Sequence, residues 1–221
     1  MANIFPKWTV TLPIKLIVCG GVLGGLVILG VTYYFTPKYS RVGYQQIQPI
    51  PFDHSLHVNQ LGIDCRYCHQ SVEVSANSSV PSVQTCMTCH SQIKKDSPKL
   101  EPLRAAWNGG KGDGPALRWV RIHEVPDFAY FNHAAHVNSG VSCVTCHGNV
   151  NHMGAVAQNQ PQSMGWCLDC HRHPDVNIRP KDKVTDLDWK PANGESRASI
   201  GEQLIKEQKI DPPQNCGACH R

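Results

Sequence analysis

The hydrophobic residues of the chain are concentrated in one N-terminal run. From residue 14 to residue 35 the sequence reads IKLIVCGGVLGGLVILGVTYYF, and Lys15 is its single charge. About 20 apolar residues are enough to cross a bilayer as a helix. A cleavable signal peptide would have a shorter apolar core and an Ala-x-Ala-like site, whereas an aromatic triplet ends this run. The pattern therefore predicts a transmembrane helix within an anchor region covering residues 1–36.

The rest of the chain is polar and interrupted by turn residues. A linker that contains Pro and Gln covers residues 37–51, and sixteen prolines and eighteen glycines occur in the whole sequence. Such a composition favours loops and short helices, with little strand. Only 41% of the residues are hydrophobic, and many of these lie in the anchor. Because so few apolar side chains remain to offset the chain entropy, we expect another group to fill the core.

Cysteine and histidine supply the candidate chemistry. Ten of the eleven cysteines fall into five Cys-x-x-Cys-His blocks, and this spacing is the attachment signature of c-type haem. A disulfide framework would not place His after every second Cys, and zinc sites would need the pairs to meet in tetrahedral sets. The sequence predicts five covalently bound c-type haems, in a mainly helical and coil body that the haems organise. The blocks are Cys65–Cys68–His69, Cys86–Cys89–His90, Cys143–Cys146–His147, Cys167–Cys170–His171 and Cys216–Cys219–His220.

Part of the haem region is repeated. A Phe-x-His-x-x-His element precedes two blocks at Phe52 and again at Phe131, while the last block stands alone near the C-terminus. The repeat predicts a first dihaem module with its loop over 52–130, a second over 131–180, and a C-terminal segment with the fifth haem over 181–221.

The paired histidines are candidates for the distal iron ligands. The His of each block fills one axial position, so five further ligands would complete five six-coordinate irons. Histidines three apart on a helical turn diverge enough to reach different irons, which makes His54, His57, His133 and His136 candidates for four of them. His123, Met153 and Met164 remain open for the fifth, and we expect four bis-His haems and one His/Met haem. We interpret Met87 as a packing residue, and His152 and His173 as solvent-facing.

The net charge and the histidine that ends every block argue against other classes of function. The formal charge is +4, but the propionates of bound haems would offset it, and the sequence contains no nucleic-acid motif. All five blocks end in His, so an enzyme that needs an open iron position is disfavoured. Because c-type haem is attached on the outer side of the membrane, we expect the N-terminus inside and the haem body on the periplasmic side of the bacterial cytoplasmic membrane.

These motifs resemble a known family. The single anchor, the five blocks and the stretches FDHSLHVNQLGIDCRYCH, FNHAAHVNSGVSCVTCHG and SMGWCLDCHRHP are similar to the pentahaem membrane-anchored subunit of alternative complex III, over essentially the whole chain. More distantly, the Phe-x-His-x-x-His elements resemble class III multihaem cytochromes, whose two histidines ligate different haems.

The resemblance implies a role in a respiratory or photosynthetic chain. It implies a non-catalytic subunit that relays electrons in a membrane quinol oxidoreductase, beside an iron–sulfur subunit, integral quinol-binding subunits and a monohaem cytochrome c. The acceptor would be a soluble cytochrome c, a copper protein or an oxidase. The alternative hypothesis is a self-sufficient, membrane-anchored multihaem quinol dehydrogenase that feeds a periplasmic reductase.

Overall fold

The computed structural model describes residues 5–35, 41–111, 113–192 and 194–220. The chain divides into two compact units, Met1–Arg41 and Val42–Arg221. The linker predicted over 37–51 lies partly outside the described residues.

The first unit contains one long helix, α1, over Trp8–Phe35. Its 28 residues give a length of about 42 Å, against roughly 30 Å for the hydrocarbon core of a bilayer. No residue of α1 is buried, and the hydroxyl of Thr32 donates to the Ile28 carbonyl at 2.8 Å. The helix is long and apolar enough to cross a membrane, as predicted, and it begins earlier than the apolar run.

The second unit consists of short helices joined by loops. The α-helices are α2 (Cys65–Cys68), α3 (Val83–His90), α4 (Glu101–Trp107), α5 (His133–Asn138), α6 (Cys143–His147), α7 (Met164–Arg172), α8 (Arg197–Gln208) and α9 (Cys216–Cys219). A π-helix covers Ser55–Gln60, and 3₁₀ turns cover Pro98–Leu100, Asn108–Gly110, Val150–His152, Asp175–Asn177 and Lys181–Lys183. Within the described ranges, β structure is limited to the isolated antiparallel bridges Gln45–Ala157 and Val141–Ile178. The predicted mainly helical and coil fold is confirmed.

Polar caps decide where most haem-block helices begin. The Asp64 carboxylate accepts from the Arg66 amide at 2.8 Å, and Ser82 and Ser163 cap α3 and α7 in the same way. A side-chain acceptor at this position satisfies a backbone N–H that has no partner inside the helix. Ser142 differs, because its hydroxyl donates to the Val184 carbonyl at 2.7 Å instead.

The apolar core of the second unit is small. Ile50, Met87 and Leu103 are buried together, and Trp107 and Trp119 pack against them. Met87 therefore packs, as the sequence predicted. A second buried group lies in the segment that follows the second predicted module, where Val184 is 2% exposed. Such limited burial of apolar side chains fits a body whose core also contains a group that is not part of the polypeptide.

Candidate haem centres

The first paired element places two histidines around one phenylalanine ring. The Phe52 ring stacks on His57 at a centroid distance of 4.3 Å and an interplanar angle of 24°. The same ring meets the edge of His54 at 4.8 Å and 84°. Aromatic contacts of this kind hold side-chain orientations, so the two imidazoles leave the element in different directions.

The second paired element repeats this arrangement closely. The Phe131 ring stacks on His136 at 4.5 Å and 28°, and it meets the edge of His133 at 4.7 Å and 89°. The sequence repeat is therefore also a repeat of ring geometry. In each element the phenylalanine, which the sequence showed only as part of the repeat, contacts both histidines.

Many of the candidate ligands share one hydrogen-bonding pattern. Their Nδ1 atoms lie within hydrogen-bond distance of a backbone carbonyl, which is the usual arrangement for a metal-ligating histidine because it fixes the ring and leaves Nε2 to bind the metal. The pairs are His57–Asp53 (2.8 Å), His69–Ser79 (2.8 Å), His90–Ile93 (3.0 Å), His133–Ala76 (2.8 Å), His136–Asn132 (2.7 Å), His171–Pro213 (2.7 Å) and His220–Phe128 (2.9 Å).

Histidines of the paired elements lie opposite histidines of the blocks at one characteristic separation. Because an imidazole nitrogen binds a metal at about 2 Å, two rings on opposite sides of one iron have centroids roughly 6 Å apart. Three pairs have this spacing: His57–His90 at 6.2 Å, His133–His147 at 6.4 Å and His136–His171 at 6.1 Å. The donor set and its spacing therefore fit haem iron.

Burial keeps the imidazoles of His54 and His147 neutral. Desolvation, followed by the charges of His69 and His57, lowers the pKa of His54 to about 4. Desolvation also lowers the pKa of His147 to about 3, with smaller contributions from His123 and His133. A neutral imidazole is the form that ligates a metal, so both residues are ready to bind iron at neutral pH.

The three candidates for the fifth distal ligand lie in different places. The His123 ring lies against His147 of the third block, at 4.3 Å and 75°. The carbonyl of Met153 accepts from the Ser55 amide at 3.1 Å, beside the first paired element, and Met164 is 66% exposed at the start of α7. His220 of the fifth block lies beside the Phe128 ring at 5.8 Å.

The two remaining histidines form contacts with carboxylates at the surface. His152 Nε2 lies 3.2 Å from Asp188 Oδ1, and His173 Nδ1 lies 3.6 Å from Asp169 Oδ1. The side chains of His152 and His173 are 49% and 73% exposed. This agrees with the prediction that both residues face solvent.

The structure also brings different blocks together, which the sequence did not predict. Cys65 and Cys143 lie close enough to interact, and this interaction lowers the pKa of the free Cys65 thiol and raises that of Cys143. The hydroxyls of Tyr67 and Thr88 lie 3.0 Å apart and join the first block to the second.

Comparison with known proteins identifies the class. The class III cytochrome c family matches residues 35–112, and the family of cytochrome c7 and related cytochromes c matches residues 129–221. The first part of the haem body is thus similar to class III cytochromes c and the second part to cytochrome c7, which supports a multihaem cytochrome c with covalently bound c-type haem and a role in electron transport.

One curated relative is a subunit of a quinone-linked complex. The chain is 33% identical over 135 residues to the menaquinone reductase, multihaem cytochrome c subunit, of Nitratidesulfovibrio vulgaris. The match covers 58% of this chain and 60% of the relative, so the chain spans less than two thirds of that protein's length.

Proposed function

We propose that this protein is an electron-transfer subunit, without catalysis of its own, in a membrane-bound quinone-linked oxidoreductase, and that it binds five c-type haems. The anchor helix α1 would hold it in the bacterial cytoplasmic membrane, with the haem body on the periplasmic side. The likeness to a menaquinone reductase subunit supports the link to quinone, and the five attachment blocks support the number of haems.

The observation that carries the proposal is the set of ring pairs separated by 6.1–6.4 Å. They pair His57 with the second block, His133 with the third and His136 with the fourth. We assign His54 to the first block, because the three ring pairs leave the first and fifth blocks for it and His54 lies in the same predicted module as the first. Haem, when bound, supplies reversible one-electron chemistry at its iron.

The chain contributes orientation, burial and basicity at these sites. At most of these imidazoles a carbonyl that accepts from Nδ1 holds the ring and makes it a stronger donor; the residues are His57, His69, His90, His133, His136 and His171. Burial lowers the pKa of His54 and of His147, so protons do not compete for their Nε2 atoms at neutral pH. With two histidines at each of these sites, the irons have no open position for a substrate, which supports a relay rather than an enzyme.

The finer assignment is the pentahaem subunit of alternative complex III. The order of the blocks and the two paired elements support it, and it would place the protein beside an iron–sulfur subunit, integral quinol-binding subunits and a monohaem cytochrome c. Quinol oxidation is then the expected direction, with a soluble cytochrome c, a copper protein or an oxidase as the acceptor. The name of the relative, a menaquinone reductase subunit, describes the opposite direction.

Purification of the full chain from its native membrane in mild detergent tests the proposal. We expect five haems per polypeptide by pyridine haemochrome assay and intact mass, and several co-purifying subunits. The purified complex should be reduced by a menaquinol analogue and reoxidised by a soluble cytochrome c. Fewer haems would contradict the haem assignment. Quinol oxidation by the isolated chain would favour the self-sufficient dehydrogenase instead.

A matched set of variants would identify the fifth distal ligand. His123→Ala, Met153→Leu and Met164→Leu each remove one candidate donor, and the leucines nearly preserve volume. We expect one of the methionine variants to abolish the optical band of a methionine–iron bond. The reduction potentials of the other centres should stay unchanged. A spectrum without such a band in the unmodified protein would assign the fifth site to a histidine.

A further inference from the structure

We propose that the first and third haem sites are built as one coupled pair, and that the loop of residues 71–79 positions the ligands of both. The proposal rests on the proposed function. It makes this loop, which lies in the first module, a positioning element for a histidine of the second module. The pair is then one of the places at which the two modules meet.

The loop presents two carbonyls to histidines of different modules. The Ser79 carbonyl lies 2.8 Å from Nδ1 of His69, the iron ligand of the first block. The Ala76 carbonyl lies 2.8 Å from Nδ1 of His133 and also accepts from the His133 amide at 3.2 Å. A single segment therefore orients one candidate ligand of the first haem and one of the third.

Neighbouring contacts fasten the loop to the second paired element. The Ala134 amide donates to the Ser75 carbonyl at 3.1 Å, and the Asn138 side chain donates to the Glu73 carbonyl at 2.8 Å. These bonds run along α5, so the loop contacts the helix that carries His133 at more than one point.

Ser71 holds the loop in this shape. Its hydroxyl donates to the Asn77 carbonyl at 2.7 Å and lies 2.9 Å from the Ser79 hydroxyl. Ser79 has a φ of +55°, a conformation that a non-glycine residue adopts only when its surroundings impose it. Loss of the Ser71 hydroxyl would release the strain and shift both carbonyls.

The segments that carry the attachment cysteines of the same two blocks also lie together. Cys65 and Cys143 lie close enough for each to shift the pKa of the other. The residues just before them are tied to one dipeptide, since Thr185 donates to Asp64 Oδ2 at 2.8 Å and Val184 accepts from Ser142 at 2.7 Å. The first and third blocks are thus joined both at their ligands and at the residues that precede their first cysteines.

Ser71→Ala tests the coupling in the haem-loaded full chain. A carbonyl bonded to Nδ1 makes the imidazole a stronger donor and favours ferric iron. We expect two of the low-spin ferric signals in the electron paramagnetic resonance spectrum to shift together, and the reduction potentials of both centres to rise. Ser71→Thr keeps the hydroxyl and should restore both signals.

Ser163→Ala is the matched control, because it removes a serine hydroxyl that caps the fourth block's helix and lies outside the loop. It should leave the signals of the first and third centres unchanged. If Ser71→Ala moves one signal or none in a protein that contains all its haems, the coupled pair is wrong. A haem count below five in the unmodified protein would instead contradict the proposed function.

Thr185→Val provides a second test if Ser71→Ala does not accumulate. It removes the bond to Asp64 at nearly constant volume, at the residues that precede the first cysteines of the two blocks. We expect the same two signals to change, and Thr185→Ser to restore them. A change confined to the second, fourth or fifth centre would overturn the proposal.

Discussion

The two paired elements have nearly identical ring geometry on different backbones. The first is a π-helix over Ser55–Gln60, whereas the second is the α-helix over His133–Asn138. The phenylalanine stacks on the second histidine at 4.3 Å in one and 4.5 Å in the other. Because the ring contacts are preserved although the type of helix differs, we infer that the phenylalanine contributes to the orientation of the ligands in both elements.

The elements differ in what holds their first histidine. His133 is bonded through Nδ1 to Ala76 of the other predicted module, whereas Nδ1 of His54 is buried without a hydrogen-bond partner. An unsatisfied buried polar atom costs about 1–3 kcal/mol. The second module therefore depends on the first for the orientation of a ligand, and no matching bond to the Nδ1 of His54 runs in the opposite direction.

The largest expected effect is the difference between His133→Ala and His54→Ala in their spectra and in their free energies of unfolding. Each variant should convert one low-spin centre to high spin, because one axial ligand is lost. His133→Ala should also shift the first centre, since it removes the side-chain bond to the Ala76 carbonyl, and should lower the free energy of unfolding by about 1 kcal/mol more. Electron paramagnetic resonance and denaturant titration measure these effects. Equal effects of the two variants would contradict the asymmetry.

His57→Ala and His136→Ala test the symmetric part of the comparison. Their Nδ1 atoms bond to carbonyls of their own elements at 2.8 and 2.7 Å. We expect each variant to convert one centre to high spin and leave the others unchanged, with interrupted electron transfer in stopped-flow reduction. His173→Ala removes an exposed histidine and serves as control. Unchanged spectra in both variants would refute the paired-ligand hypothesis.

Acidification tests whether two buried imidazoles stay neutral. Burial lowers the pKa of His54 to about 4 and that of His147 to about 3, from an ordinary value of 6.5. Because a lowered pKa keeps the imidazole neutral, its stabilisation is fully present above pH 6.5 and is lost as the pH falls toward the folded value. We expect the low-spin spectrum to persist at pH 5. High-spin signals already at pH 6 would contradict this.

The smallest expected effect comes from the phenylalanines. Phe52→Leu and Phe131→Leu remove ring contacts worth about 0.5–1.5 kcal/mol beyond their buried area. We expect both variants to retain their haems. Each variant should cause small changes in the low-spin signals of the two centres whose histidines its phenylalanine contacts, and the changes should be similar in the two variants. Pulsed electron paramagnetic resonance would detect the rotation of the imidazole planes. A large change in one module only would show that the helix type contributes after all.

Much of this molecule could be predicted from local sequence. The apolar run predicted α1, and the turn-rich composition predicted short helices without sheets, because both properties depend on neighbouring residues. The Asp64 cap was also open to prediction, since an Asp directly before a short helix is a standard N-cap signal. The contact of Thr185 with Asp64 could not be predicted from the sequence, because no periodicity relates residues so distant in the chain.

The sequence by itself determined the attachment blocks, the repeated Phe-x-His-x-x-His elements and the apolar anchor, because covalent haem attachment and membrane crossing depend on spacing and composition within short segments. Only the tertiary structure decided which histidine lies opposite which block, which carbonyl holds each Nδ1, and that Cys65 lies beside Cys143. These features require contacts between distant segments, and such contacts exist only after the loops have closed and packed against one another.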